Sequence, residues 1–143
     1  MAFVKKTRSR KVHSVAIELT VKSREAALSA VQIFNNPPIR FKSESYIVLM
    51  TIAWTYLLHA HYRKQKIEYR YFDSSGKRRK FPKTKRGSDK YWELERCLNE
   101  KRSPIDKNTA NNLRFLIGLR HEIEHQISIW PTLSSVRSSH GSK

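Results

Sequence analysis

The sequence predicts an all-α protein, an antiparallel helical bundle with a basic loop or small hairpin inserted between its second and third helices. Three observations carry this. Apolar residues recur at helical spacing through segments near residues 23–34, 43–61 and 106–129. All five prolines fall between or beyond those segments. Basic residues crowd residues 62–90, where no helical period survives.

Taken in order, residues 1–21 read as a basic, partly ordered arm carrying Lys5, Lys6, Arg8, Arg10 and Lys11. Val15, Ile17, Leu19 and Val21 alternate with Ala16, Glu18 and Thr20, which fits an extended segment or an early helix start. Ser23 is a candidate helix cap, with Glu25 in the first turn and Ala27, Ala30, Val31 and Phe34 on one face. Asn35-Asn36-Pro37-Pro38 stops that helix. A second helix is expected from Ser43, with Ile47, Met50, Trp54, Leu57 and Leu58 as its buried stripe and His61 extending it. His59 and His61 are expected to be packed or edge histidines.

In the basic insertion, residues 67–72 suit one strand of a hairpin around Ser74-Ser75-Gly76, with residues 80–82 opposite. Lys77, Arg78, Arg79, Lys80, Lys83, Lys85 and Arg86 are candidate phosphate contacts, with Arg114 of the last helix as a further one, and Tyr69, Tyr71, Phe72 and Phe81 lie among the insertion's cations. A third helix is expected over residues 89–100 and a fourth over 106–129, closed by Pro131. Residues 22–130 would form the helical domain and residues 131–143, rich in Ser, a disordered tail.

Composition bounds the function. The chain has 143 residues, enough for one core, with 29 Lys and Arg against 12 Asp and Glu, a net charge of +17. Such an excess repels itself in the folded state, and a polyanion relieves it, so nucleic acid is the expected partner. Cys97 is the only cysteine, which excludes an internal disulfide and a thiolate-rich zinc site. The longest apolar stretch, residues 46–58, is too short to span a membrane. The basic N-terminus lacks a secretion signal, so a cytoplasmic location and no membrane contact are expected.

The last helix holds the chemistry. Leu113, Leu116, Ile117, Ile123 and Ile127 share one face at about 100° per residue. His121 and His125 lie one turn apart on another face, together with Arg114 and Gly118. Gly118 is costly in a helix, so it marks close approach by another chain, a phosphate or a packed helix. Arg120 is expected to lean toward the core, with Glu44 as its carboxylate partner. His121-Glu122-Ile123-Glu124-His125 also fits the H-E-x-x-H pattern of zinc peptidases, but a third ligand is missing, with only His140 following. The competing pattern is Arg120-x4-His125.

Several blocks, in order, resemble a known family. They are Lys22-Ser23-Arg24-Glu25-Ala26-Ala27-Leu28, Phe34-Asn35-Asn36-Pro37 and Phe41-Lys42-Ser43-Glu44-Ser45-Tyr46-Ile47-Val48-Leu49-Met50. They continue with Ala53-Trp54, Leu57-Leu58-His59-Ala60, Tyr91-Trp92-Glu93-Leu94 and Phe115 to His125. The chain resembles the HEPN superfamily and, within it, the bacterial domain-of-unknown-function 3644 family. The resemblance implies a HEPN-like bundle that forms a homodimer with the two Arg-x4-6-His motifs facing across the two-fold axis. It implies metal-independent RNA cleavage, in toxin–antitoxin or phage-defence systems, with an antitoxin protein as a further partner. Arg120 and His125 carry over as catalytic, with His121 as the polar residue after the arginine, and no metal or other cofactor is expected. The chain closes soon after the motif helix, so a fragment of a longer HEPN protein, or a non-catalytic RNA-binding and dimerisation module, is the alternative.

The charge generates a prediction independent of the resemblance. RNA affinity should fall by orders of magnitude between low and physiological salt, because several released counterions steepen the dependence. Replacing Lys77, Arg78, Arg79 and Lys80 together by Gln should weaken binding and flatten the slope in a fluorescence titration, with the melting curve unchanged. A salt-independent affinity would refute it.

Overall fold

A central helix with partners on two sides organises this chain. The structure is a computed structural model that describes residues 12–136, with side chains described for residues 13–125. Helix α1 is Val12–Phe34, α2 Lys42–Lys64, α3 Leu94–Leu98 and α4 Lys107–Val136. Helix α2 packs against α1, α3 and α4, α3 also meets α4, and among the described residues the α1 and α4 backbones do not pack against each other. The described architecture is all-α and open, with α2 in the middle. The expected arm residues Lys5, Lys6, Arg8, Arg10 and Lys11 and the last residues of the tail lie outside the described residues.

Helix α1 starts at Val12, so the alternating residues 15–21 are helical and not extended. Ser23, expected as a cap, sits in mid-helix, buried, and its Oγ–H donates to the Ala53 carbonyl at 2.7 Å. Ala16 and Ala30, each seven residues from Ser23, are fully buried. Small side chains at this interval let the two backbones approach closely, which is why a serine hydroxyl reaches across to a main-chain oxygen. Several bulky residues of α1 consequently lie outward: Val31 and Phe34, on the face expected to pack, are both nearly half exposed, while Leu19 reaches the main core.

The same constraint corrects the stripe expected on α2. Its buried residues are Thr51, Ala53, Leu58, His59, Ala60 and Tyr62, whereas Leu57 is exposed. Packing on two sides selects positions by size and polar anchoring as well as by hydrophobicity.

The main core lies toward the C-terminal end of α2. It joins Leu58 and Tyr62 to Ile67, Tyr69, Trp92, Leu94, Cys97, Leu98, Ala110 and Leu113. Two buried hydrogen bonds fasten the α3 region to α2: His59 Nε2 to the Trp92 carbonyl at 2.7 Å, and Tyr62 O–H to the Cys97 carbonyl at 2.5 Å. Burial pushes the Cys97 thiol up to about 12, so it stays protonated and serves as packing.

Helix α3 is much shorter than the expected span of 89–100. Residues 90–92 are drawn instead into backbone pairing, with Tyr71 N–H donating to the Lys90 carbonyl and Trp92 N–H to the Tyr69 carbonyl. The hairpin is also re-paired. Asp73 and Lys80 exchange both backbone bonds around a turn held by Asp73 accepting from Ser75, while Arg70 pairs with Tyr91 and Lys83 with Asp89. Residues 67–72 therefore find much of their partner at 89–92, beyond the expected 80–82.

Helix α2 ends in a Schellman cap, with Ile67 N–H donating to the Tyr62 carbonyl and Lys66 N–H to the Arg63 carbonyl. Lys66 occupies the left-handed position at φ 56°, where glycine is usual and a side chain costs about 1 kcal/mol. Helix α4 runs through Pro131 to Val136, past its expected stop, because a proline deletes one internal bond without ending those of its neighbours.

His59 makes stability pH-dependent. Burial lowers its pKa below the usual 6.5, partly offset by the bond to Trp92. The unfolded chain therefore binds a proton more readily than the folded one. Neutral His59 contributes its full stability above about pH 6.5 and loses it as pH falls. The midpoint of thermal unfolding should drop between pH 7.5 and 5.5, and His59→Gln should show a shallower slope from a lower starting stability. An identical slope in the variant would refute this assignment.

Candidate functional site

Helix α4 buries Ala110 and Leu113 and half-buries Leu116, Ile117 and Ile123, as its periodicity requires. That orientation fixes where the polar residues go. Arg114, Gly118, Arg120, His121 and Glu124 line a cavity of about 640 Å³, closed by Thr51 of α2 and by Glu93, Leu94 and Glu95 at the start of α3. Arg120 and His121 thus share a site. His125 is exposed and does not line this cavity.

Arg120 is half-buried and ion-paired to Glu124, one turn on, at 3.2 Å. This replaces the expected pair with Glu44. The α2 residue that shares the cavity of Arg120 is Thr51, and Glu44 is seven residues from it along α2, about 10 Å at 1.5 Å per residue, whereas Glu124 is one turn on from Arg120 along the same helix. Arg114, expected among the phosphate contacts, is tied down: its guanidinium donates to Asn99 at 3.0 Å and Asn111 at 3.3 Å and lies 3.7 Å from Glu95. It braces α4 against α3.

The acidic side of this cavity was missed in the sequence reading. Glu93, Glu95 and Glu124 face Arg114 and Arg120, so three carboxylates stand against two guanidinium groups. A signal existed. Six of the 12 acidic residues fall between Glu93 and Glu124, in a chain that is otherwise strongly basic. Among the described residues, no group of three or more His, Cys, Asp or Glu is arranged to hold a metal ion.

The outer face of α4 is a continuous exposed strip of Asn111, Phe115, Gly118, Glu122 and His125. Phe115 is 68% exposed. A β-carbon added at Gly118 would meet nothing within 4 Å, so close packing inside this chain does not explain the glycine.

The hairpin presents Lys77, Arg78, Arg79, Lys80, Lys83, Lys85 and Arg86, all exposed. Lys83 is paired with Asp89, and its hydrogen bond is the main cause that lowers the carboxyl pKa of Asp89. Arg70 stitches the hairpin base. Its Nε and Nη2 meet both oxygens of Glu68 at 2.8 and 3.0 Å, its Nη1 meets Asp89 at 3.1 Å, and it stacks 4.0 Å over Phe81. The same fork holds the Glu68 carboxyl below its usual range.

The family model described as a domain of unknown function, DUF3644, matches residues 18–140, from the first helix through the motif helix. The chain belongs to the DUF3644 family. No curated protein and no solved structure matches it. The matched span of the DUF3644 family includes both walls of the 640 Å³ cavity and the whole basic hairpin.

Because nothing crowds the Gly118 position, Gly118→Ala should stabilise the monomeric fold by about 1 kcal/mol, the usual helix gain. Chemical denaturation at low protein concentration measures it. A loss of stability would mean that the glycine meets a neighbour.

Proposed function

We propose that this DUF3644 chain is a metal-independent endoribonuclease of HEPN type that acts as a homodimer. The observation that supports it is the division of the motif. Arg120 and His121 line the cavity, and His125 stands outside it on the exposed strip beside Gly118. One copy does not gather the set. An isologous dimer through that strip brings the His125 of one protomer toward the cavity of its partner, with Phe115 supplying apolar contact and Gly118 allowing close approach.

In such a cleft His125 takes the proton from a ribose 2′-hydroxyl, and the freed oxygen attacks the adjacent phosphorus. The bond from phosphorus to the 5′-oxygen breaks, and His121 returns a proton to that oxygen. Arg120 stabilises the charge that builds on the phosphoryl oxygens. The products are a 2′,3′-cyclic phosphate and a 5′-hydroxyl. The exposed hairpin cations hold the RNA backbone, and a toxin–antitoxin or defence role with a protein antitoxin follows from the HEPN resemblance. A second reading, a non-catalytic RNA-binding and dimerisation module, is favoured by the acidic excess in the cavity, which opposes phosphate entry.

Purified protein incubated with RNA in excess chelator separates the two. Cleavage should persist, RNA bearing 2′-O-methyl groups should resist, and His125→Ala should lose at least about 100-fold in rate while still binding. Arg120→Ala should also be inactive yet folded, since its partner Glu124 is at the surface. Mixing these two inactive variants should restore cleavage if each site draws on both protomers. Binding without cleavage by the parent protein would leave the non-catalytic module.

A further inference from the structure

A second, smaller cavity of about 290 Å³ lies on the other side of α3. Trp92 just before α3, Arg96 within it and Glu100 just after it line this cavity, whereas Glu93 and Glu95 face the larger one. The hairpin and the end of α2 add Lys66, Phe72 and Arg79, and Arg102 completes the rim.

Its electrostatics are the reverse of the first cavity. Glu68 also lines it, but both of its oxygens are taken by Arg70. The four cations Lys66, Arg79, Arg96 and Arg102 therefore share one remaining carboxylate. That carboxylate, Glu100, is only 13% exposed and sits between two of them, 3.2 Å from Arg102 and 3.8 Å from Arg96. It orients both guanidinium groups without matching the total charge. Two of the guanidiniums also lie over aromatic rings, Arg96 4.0 Å from the centre of Trp92 and Arg79 4.8 Å from that of Phe72. Stacking fixes the plane of a guanidinium and leaves its N–H edges available to an oxyanion.

Lys66 adds an independent sign. It holds a left-handed backbone position that glycine would fill without strain. Strain kept at a pocket wall points to the side chain as the reason it is kept.

We infer that this cavity binds a phosphate monoester, the terminal phosphate of an RNA 5′ end or of a free nucleotide. A monoester carries nearly two negative charges at neutral pH and three acceptor oxygens, which suits clustered, pre-oriented cations better than the single charge of an internal diester. The site is separate from the cleavage chemistry and is tested by binding alone.

The full-length chain carrying His125→Ala, which keeps RNA intact, is titrated with three probes at one salt concentration: a 5′-phosphorylated oligoribonucleotide, the same oligonucleotide with a 5′-hydroxyl, and adenosine monophosphate. The phosphorylated strand should bind about tenfold tighter than its 5′-hydroxyl twin. Lys66→Gly should erase that preference while raising the melting temperature, since the strain is relieved as the cation is lost. Arg96→Gln should erase it as well. A mononucleotide that binds as tightly as the phosphorylated strand makes a free nucleotide the ligand, and a weaker one makes it the RNA end. Equal affinity for the two strands, or a preference that survives both substitutions, would overturn the assignment. Neither result depends on whether the parent protein cleaves RNA.

Discussion

The buried pair of hydrogen bonds from α2 to the α3 region is the constraint on which the rest of the molecule depends. Five residues cannot sustain a helix in water, because nucleation is too costly for so few bonds. Helix α3 exists because His59 holds the Trp92 carbonyl, Tyr62 holds the Cys97 carbonyl, and Leu94, Cys97 and Leu98 are buried between. Each bond satisfies a polar group that burial would otherwise penalise by about 1–3 kcal/mol. Without that fixture, neither the brace from Arg114 to Asn99 nor the pairing of Tyr69 with Trp92 has a fixed partner.

Fixing α3 also divides the surface charge. The short helix is the wall between two cavities, and its residues alternate so that carboxylates face one and an arginine the other. The larger cavity holds the Arg120 and His121 pair among glutamates. The smaller holds four cations around one carboxylate. A net charge of +17 says that a polyanion is wanted, but not where it goes. Arg70, Lys83 and Arg114 are already committed to carboxylates or amides within the fold, which leaves the excess positive charge at the hairpin tip and in the smaller cavity, where Arg96 and Arg102 share the single carboxylate of Glu100.

Helices α1 and α2 are held by a different principle. Their seam of Ala16, Ser23 and Ala30 gains little from hydrophobic area and much from proximity, sealed by a serine hydroxyl on a main-chain carbonyl. The result is an open array in which, among the described residues, the backbones of α1 and α4 do not pack against each other. A closed bundle would cover the outer strip of α4. Here Phe115, Gly118 and His125 remain exposed, which is the geometric reason a second copy enters the functional proposal.

The sequence by itself determined the helical class, the stop at Asn35-Asn36-Pro37-Pro38, the exposed basic insertion and the side of α4 that faces the core. These follow from local rules: a proline, a helical period and a run of like charges act within a few residues. Even the stacking of His121 and His125 one turn apart was legible. What only the tertiary structure decided was who meets whom. Ser23 looked like a cap and became a seam residue, because a helix twenty or more residues away came close enough to accept its proton. Residues 89–93 looked helical and became extended, because Tyr69 and Tyr71 offered backbone partners. Arg120 found Glu124 in place of Glu44, and the glutamates of α3 entered the site unannounced. Burial and charge balance are sums over neighbours distant in the chain, and periodicity along one segment contains no information about what another segment brings to it.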